Sequence, residues 1–188
     1  MKLVLIACLM FFSSCTRKIP PEEKPSVLAL REMGELATVE YTITKIIKAS
    51  DDKTWYKLGD RKILMSCEAY LKAGVDLASL TESSYSVDGK NIHIRLPSPE
   101  LISLNIPPDK IRVEYQQVGA FRDPFNSQER DGLAAQAEAE IRNSVNAIGI
   151  LPQAKANTAL FVSNFLRQAG FQNITISWSD TPGKTVAP

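Results

Sequence analysis

The strongest constraint on the fold is a run of alternating apolar side chains in residues 61–76, RKILMSCEAYLKAGVD. Every second residue of this run is apolar from Ile63 to Val75, which is the period of a strand with one buried face. Strands usually span about 3–10 residues, so this one is unusually long. We therefore expect it to bend or to change partners near Gly74.

Other segments of the first half alternate in the same way. They are residues 38–45 (TVEYTITK), 91–96 (NIHIRL) and 111–116 (IRVEYQ). The second of these ends at Pro97, and residues 87–90 (VDGK) predict a turn before it. The first half of the chain is therefore expected to be mainly sheet.

The second half changes to the period of a helix. Apolar residues recur at intervals of three and four after Asn126, up to Gly149, at Leu133, Ala137, Ile141, Val145 and Ile148. A second helix is expected from Pro152 to Gly170, with an apolar stripe of Ala154, Thr158, Phe161, Phe165 and Ala169. Residues 173–178 (NITISW) then alternate again as a strand.

Together these segments predict an α+β fold. A helix with one apolar stripe needs a sheet or another helix to cover that stripe. We therefore expect a mixed or antiparallel sheet from the N-terminal half to pack against a C-terminal helical hairpin, with a final strand closing the fold. Residues 28–178 would form this single domain, and residues 179–188 a flexible tail.

The N-terminus has the pattern of a secretory signal peptide. Lys2 precedes a short apolar run, and small residues follow it. Ser13-Ser14-Cys15 resembles the lipobox of bacterial lipoproteins, which implies cleavage after residue 14 and acyl chains on Cys15. Two alternatives remain: an ordinary cleaved signal with a free Cys15, or lipid on Cys8, which would leave an apolar run shorter than the ~7–15 residues such signals use.

The leader is followed by a predicted tether and a domain of balanced charge. Residues 15–27 are rich in proline and charge and predict an extended tether. The leader carries one Lys and no acid, so the rest has equal numbers of basic and acidic residues, which argues against nucleic acid as a partner. We expect the bacterial cell envelope, outside the cytoplasm; Arg17, where some inner-membrane lipoproteins have aspartate, favours the outer membrane.

Four stretches of the chain resemble a known bacterial family. They are AGVDL (73–77), GKNIHIRLPSPELI (89–102), GILPQAKANT (149–158) and AGFQNITISW (169–178). In order and spacing they resemble the DUF4230 family, a domain of unknown function, over most of residues 35–178. Several members look membrane-anchored at their N-termini. The resemblance implies no activity and no catalytic residue.

The residues that could carry chemistry are few. His93, the only histidine, shares a strand face with Asn91 and Arg95, which predicts either a polar binding face or a solvated one. Cys67 lies on the apolar side of its strand, which favours a buried structural thiol over a nucleophile. We expect no metal site and no cofactor.

Asp76, Glu100 and Asp109 stand at expected element ends. Carboxylates so placed could do acid–base work or hold a cation, and Asp76 joins His93 and Arg95 as a candidate for ligand binding. The alternative is local structure: Asp76 would cap a turn beginning at Leu77, and Ser98 would cap a short helical turn that contains Glu100.

Two classes of function follow. The first is a non-enzymatic envelope domain that binds another envelope protein or associates with itself. The second is a small-ligand binder or hydrolase with a pocket between sheet and helices. The first is favoured, because a chain of this length that works as an enzyme usually leaves a recognisable motif, and none is visible.

Overall fold

The structure is a computed structural model that describes residues 27–51 and 59–179. Its elements are α1 (Val27–Glu32), β1 (Glu35–Asp51), β2 (Arg61–Asp76), β3 (Tyr85–Asp88), β4 (Asn91–Leu96), β5 (Glu100–Asn105), β6 (Ile111–Val118), α2 (Ser127–Ser144), α3 (Ile150–Gln168) and β7 (Asn173–Trp178). The predicted α+β class is confirmed. The predictions for the signal peptide, Cys8, Cys15, most of the tether and residues 180–188 lie outside the described residues.

The larger sheet is built on a long antiparallel hairpin of β1 and β2. The two strands pair over their whole length, from Glu35 opposite Asp76 to Asp51 opposite Arg61. On its other side β2 pairs first with β6, as far as Cys67, and then with β5 from Tyr70 onwards. The predicted change of partners is confirmed, but it falls between residues 67 and 70, before Gly74. The alternating residues Ile63 to Val75 form the buried face, as predicted.

Gly74 of β2 lies in close contact with the backbone of β1. The register of β1 shifts between Ala37 and Val39, which is a β-bulge. A Cβ atom added at Gly74 would lie 1.8 Å from the carbonyl oxygen of Leu36. Only glycine fits this position without moving the backbone of β1.

The smaller sheet has the order β3-β4-β7. β3 and β4 form a hairpin around Gly89, whose φ of 58° is in the left-handed region, and this confirms the turn predicted at residues 87–90. β7 pairs with β4 in parallel, so it reaches the sheet only after the chain has passed through both long helices. Ser179, the first residue of the predicted tail, still donates its N–H to the carbonyl of Leu96.

The two long helices contact the hairpin at successive points along its length. The first turn of α2 contacts Arg61, at the start of β2. Further on, Glu140 accepts from Lys45 Nζ at 2.6 Å, and Asn157 Nδ2 of α3 donates to the carbonyl of Thr38 at 2.9 Å. At about 1.5 Å per residue the helices span about 27 and 28 Å. Following one another, they lie along the hairpin, whose strands span about 56 Å, and the second half of α3 continues past it onto the small sheet.

The core lies on the inner faces of the two sheets. Over the large sheet the buried residues are Ala69, Leu71, Ala73, Leu101, Ile141, Val145, Ile150 and Ala154. Where α1, α3 and the small sheet meet, they are Val27, Leu30, Val75, Leu77, Leu80, Ile92, Ile94, Leu96, Val162 and Leu166. α3 therefore joins the two sheets, because one end packs on each.

The buried face of α3 differs from the predicted stripe. The buried row is Ile150, Ala154, Thr158, Val162, Leu166 and Ala169. Phe161 is exposed, and Phe165 is only partly buried. Residues spaced by four share one face of a helix, so the row that starts at Ala154 reaches Val162 and Leu166, about 100° and about 140° around the helix from Phe161. The predicted stripe is therefore confirmed at Ala154, Thr158 and Ala169 and wrong at Phe161, where Val162 and Leu166 are buried instead.

Four charged side chains tie the start of α2 to the open end of the hairpin. Arg61 donates to both oxygens of Glu129 and, at 3.2 Å, to Asp51. Arg122 donates to the same Asp51 oxygen. The guanidinium carbon of Arg61 also lies 4.3 Å from the ring centroid of Phe125. This arrangement fixes α2 on the sheet at the point where the helix begins.

Removing the charge of Glu129 should weaken the fold in a pH-dependent way. The hydrogen bond from Arg61, and then that from the Asn126 backbone, hold the pKa of Glu129 below its ordinary value. A lowered folded-state pKa contributes stability above the unfolded pKa, and this stability is lost as pH falls through the folded pKa. We expect Glu129→Gln, which keeps the cap, to lower the urea midpoint at about pH 7 and to match the native chain in acid.

The matched control is Glu138→Gln, in the partly exposed pair that Glu138 forms with Arg142 one turn along the helix. It should change the midpoint little at either pH. A difference between native protein and Glu129→Gln that stayed constant from neutral to acidic pH would show that the charge of Glu129 does not stabilise the fold.

Candidate functional site

The outer face of the small sheet carries the predicted polar residues. Asn91, His93 and Arg95 are exposed on β4, whereas Ile92 and the other alternate residues of that strand are buried. Arg95 makes no ion pair with any residue in the described part of the chain. β4 is the central strand, so its polar residues have neighbours on both sides. The predicted geometry, with His93 and Arg95 on one face, is therefore present.

Ser177 joins this face, although the sequence did not point to it. Its Oγ lies 3.0 Å from Nε2 of His93. The contact arises because β7 runs parallel to β4, with Thr175 opposite His93 and Ser177 opposite Arg95. Sequence patterns do not reveal such a pair, because the pairing of two distant parallel strands leaves no local signal.

The His93–Ser177 contact contains two of the groups that acyl transfer by a serine requires, a base and a hydroxyl. A neutral imidazole can take a proton from a hydroxyl and so activate it as a nucleophile. Acyl transfer also needs donors aimed at the developing oxyanion. The N–H groups of strands lie in the plane of the sheet and not above it, so those beside Ser177 do not point towards a substrate on this face.

Asp76 has a local structural role. Its carboxylate accepts from the N–H of Ala78 at 2.9 Å and caps the 3-10 turn Leu77–Ser79, as the local alternative predicted. Among the described residues, no hydrogen bond or ion pair joins it to His93 or Arg95. The three candidate residues therefore do not form one site: two share the small sheet, and Asp76 ends a strand of the large one.

The other two carboxylates also lie at element ends. Asp109 occupies the first turn of the 3-10 segment Pro108–Lys110. Glu100 was predicted to lie in a short helical turn, and this is wrong, because it begins strand β5. Ser98 does not cap a helix; its N–H donates to Ser179 Oγ at 3.2 Å, and its hydroxyl donates to the Ser179 carbonyl.

Cys67 is a buried thiol. It is fully enclosed between Ile47 of β1 and Ala137 of α2. Burial raises its pKa, because the low dielectric disfavours the charged thiolate. Since the thiolate is the reactive form, this position suits packing and not nucleophilic attack.

A polar cluster lies on the opposite face of β2. Tyr70 Oη donates to Glu68 at 2.6 Å, and Lys110 Nζ lies 3.0 Å from the same carboxylate. The hydrogen bond from Tyr70, and then that from Lys110, lower the pKa of Glu68. The Glu68 hydrogen bond raises the pKa of Tyr70 and of Lys110. Within the cluster, the positive charge of Lys110 balances the negative charge of Glu68.

Two shallow cavities bear on the small-ligand alternative. One, of about 230 Å³, lies between β6 and α2 and is lined by Met65, Pro108, Ile111, Val113, Ser127, Arg130, Asp131 and Ala134. The other, of about 210 Å³, lies beside α1 and is lined by Val27, Leu28, Arg31, Leu80, Thr81, Glu82 and Tyr85. Both are smaller than the ~300–1,000 Å³ typical of ligand sites.

The longest strand of the described residues, β1, lies at an edge of the large sheet. β1 pairs only with β2 in residues 27–51 and 59–179, so its other edge has no strand beside it. Val39, Tyr41 and Ile43 of its inner face are only half buried, although they pack on the core. On its outer face Ile46 is 55% exposed. An edge of this kind can accept another strand.

No helix within residues 27–51 and 59–179 is long and apolar enough to cross a membrane. The same residues contain no group of three or more His, Cys, Asp or Glu side chains arranged to hold a metal ion.

Comparison with known proteins agrees with the predicted resemblance. The sequence model of DUF4230, described as a protein of unknown function, matches residues 29–176. No curated protein and no solved structure matches the chain. The match spans both sheets and both long helices, and the chain belongs to the DUF4230 family of proteins of unknown function.

Proposed function

We propose that this protein is a lipid-anchored component of the bacterial cell envelope whose DUF4230 domain acts by binding protein, without catalysis. The observation that carries the binding role is the free edge of β1, a strand of 17 residues. Edge strands bind partners through main-chain hydrogen bonds, and side chains on alternate positions supply specificity. Natural proteins usually keep edge strands short or covered, so a long uncovered edge strand indicates a binding surface for another strand.

The side chains of β1 favour controlled binding over aggregation. Lys45 points to the inner face, where Glu140 of α2 pairs with it. Lys48 and Glu40 put charge on the outer face. Charges on an edge strand disfavour pairing with most other strands but allow pairing with a strand of complementary charge.

The anchor is supported by the N-terminal sequence. The signal-like run and Cys15 favour a lipidated mature chain, and residues 15–27 would set the domain back from the membrane. More than one acyl chain suffices for stable attachment. The domain would then work outside the cytoplasm at the periplasmic face, with the outer membrane favoured.

Crosslinking of the full chain in membranes tests the binding role. We expect a lysine-reactive crosslinker to give a defined protein adduct that Ile46→Lys, on the edge strand, strongly reduces. Leu160→Lys is the control, because Leu160 is 63% exposed and lies on α3, not on the edge strand. Recovery of the monomer alone, or an adduct that both variants reduce equally, would count against binding through this edge.

The His93–Ser177 contact supports a second candidate, a serine hydrolase. A fluorophosphonate probe reacts with activated serines and separates the two proposals. For a binding domain we expect native protein and Ser177→Ala to be labelled equally weakly. Labelling that is strong in native protein, and lost in both Ser177→Ala and His93→Ala, would favour the hydrolase.

A further inference from the structure

The charges on β1 are arranged for pairing with a second β1. After the bulge the strand is regular from Val39 to Asp51. Its outer face carries one acid, Glu40, and one base, Lys48, each four residues from Thr44. Antiparallel pairing about Thr44 would therefore place Glu40 of each copy opposite Lys48 of the other.

Sheet geometry and charge exclude several other registers of this strand. In paired strands, side chains directly opposite each other point to the same face of the sheet. A register shifted by one residue would therefore put the helices of the two copies on opposite faces, and only every second register keeps them on the same face. Centring on Glu40, Lys45 or Lys48 would oppose like charges, which is destabilising. Of the registers allowed by face, only the one centred on Thr44 opposes Glu40 with Lys48. It also pairs the whole of residues 39–49.

Of the remaining pairs, Ile43 would lie opposite the partner's Lys45, which pairs with Glu140 of its own chain, and two others are favourable. Tyr41 would lie opposite the partner's Ile47, and Thr42 opposite the partner's Ile46, which is exposed in the single chain. Aromatic and β-branched pairs of this kind stabilise antiparallel sheets. Lys48 makes no ion pair within the described residues, and Glu40 has only a distant one, 3.8 Å from Lys72.

We infer that two copies of this chain join edge to edge through antiparallel β1 strands about an axis at Thr44. The product is one continuous sheet with all four long helices on the same face. The inference rests on the proposed binding function and names its partner as a second copy.

Cysteine crosslinking of the full chain in its membrane tests the register. Residues directly opposite each other in antiparallel strands have Cα atoms about 4.5–5.5 Å apart, within the range of a disulfide. Under copper-phenanthroline oxidation we expect Thr44→Cys to form a covalent dimer. Thr42→Cys and Ile46→Cys alone should not, because each would lie about 13 Å from its own copy. The two combined should crosslink. The native chain, oxidised in the same way, is the control for crosslinks through the native cysteines.

Charge reversal tests the same pairing without cysteine. In a symmetric dimer, Lys48→Glu changes both Glu40–Lys48 pairs to repulsion, and we expect dimerisation to weaken about 10-fold. Glu40→Lys should have a similar effect. The double variant Glu40→Lys/Lys48→Glu should recover the native dimer, because each reversed pair is again complementary. Failure of the double variant to recover would overturn this register, provided that it unfolds at the native urea midpoint.

The outcomes separate this inference from the binding function. A Thr44→Cys band no stronger than that of Thr42→Cys, together with edge-dependent adducts to another envelope protein, overturns self-pairing and leaves the binding function standing. Absence of both the covalent dimer and any edge-dependent adduct overturns both.

Discussion

Gly74→Val is expected to lower the free energy of unfolding by about 3 kcal/mol or more, or to prevent folding. Its Cβ would lie 1.8 Å from the carbonyl oxygen of Leu36 and 2.8 Å from the Cα of Ala37, and both are backbone atoms that no rotamer change can move. The bulge in β1 would have to open, and with it the pairing that holds the hairpin. Urea unfolding followed by circular dichroism measures the effect.

Gly132→Ala is the matched control for this variant. Gly132 lies within α2, and a Cβ there has no neighbour within 4 Å. Alanine should therefore stabilise the chain by about 0.4–1 kcal/mol. A Gly74→Val protein with the native urea midpoint would show that β1 and β2 do not approach this closely.

Leu166→Ala is expected to destabilise the fold by about 2–5 kcal/mol. Leu166 is fully buried where α3 packs against α1 and the small sheet. Its removal leaves a cavity at the contact that joins the two sheets, and surrounding side chains fill such cavities only partly. The same urea titration measures this loss.

Leu160→Ala provides the comparison on the same helix. Leu160 is largely exposed, so its truncation should change the free energy of unfolding by less than about 0.5 kcal/mol. Equal effects of the two variants would contradict the buried face described for α3, which contains Leu166 and excludes Phe161.

Local sequence period was enough to predict most strands. The alternation from Ile63 to Val75 and in residues 91–96 matches the buried faces observed. Strand β5 was missed because its sequence, ELISLN, has no clean alternation and follows a proline that suggested a turn. Helix α1 was missed because it is a short segment that is stabilised by burying Val27 and Leu30 in the core.

The candidate site was predicted less completely, because its contacts join distant parts of the chain. The polar face with His93 and Arg95 follows from alternation alone, but the contact with Ser177 depends on parallel pairing of β4 and β7. Likewise, whether β1 is central or at the edge depends on the order of strands in the sheet, which local pattern does not encode. The free edge therefore became visible only in the folded chain.

The lipid on Cys15 would hold every proposed interaction at a membrane surface, and the intact mass of protein extracted from membranes tests it most directly. The native chain and Cys15→Ala should be measured together, with fractionation of both. We expect the native chain to begin at Cys15, to carry added acyl mass and to stay with the membrane, and the variant to lose the acyl mass and the membrane location. A native chain that is unmodified and recovered outside the membrane fraction would contradict the anchor.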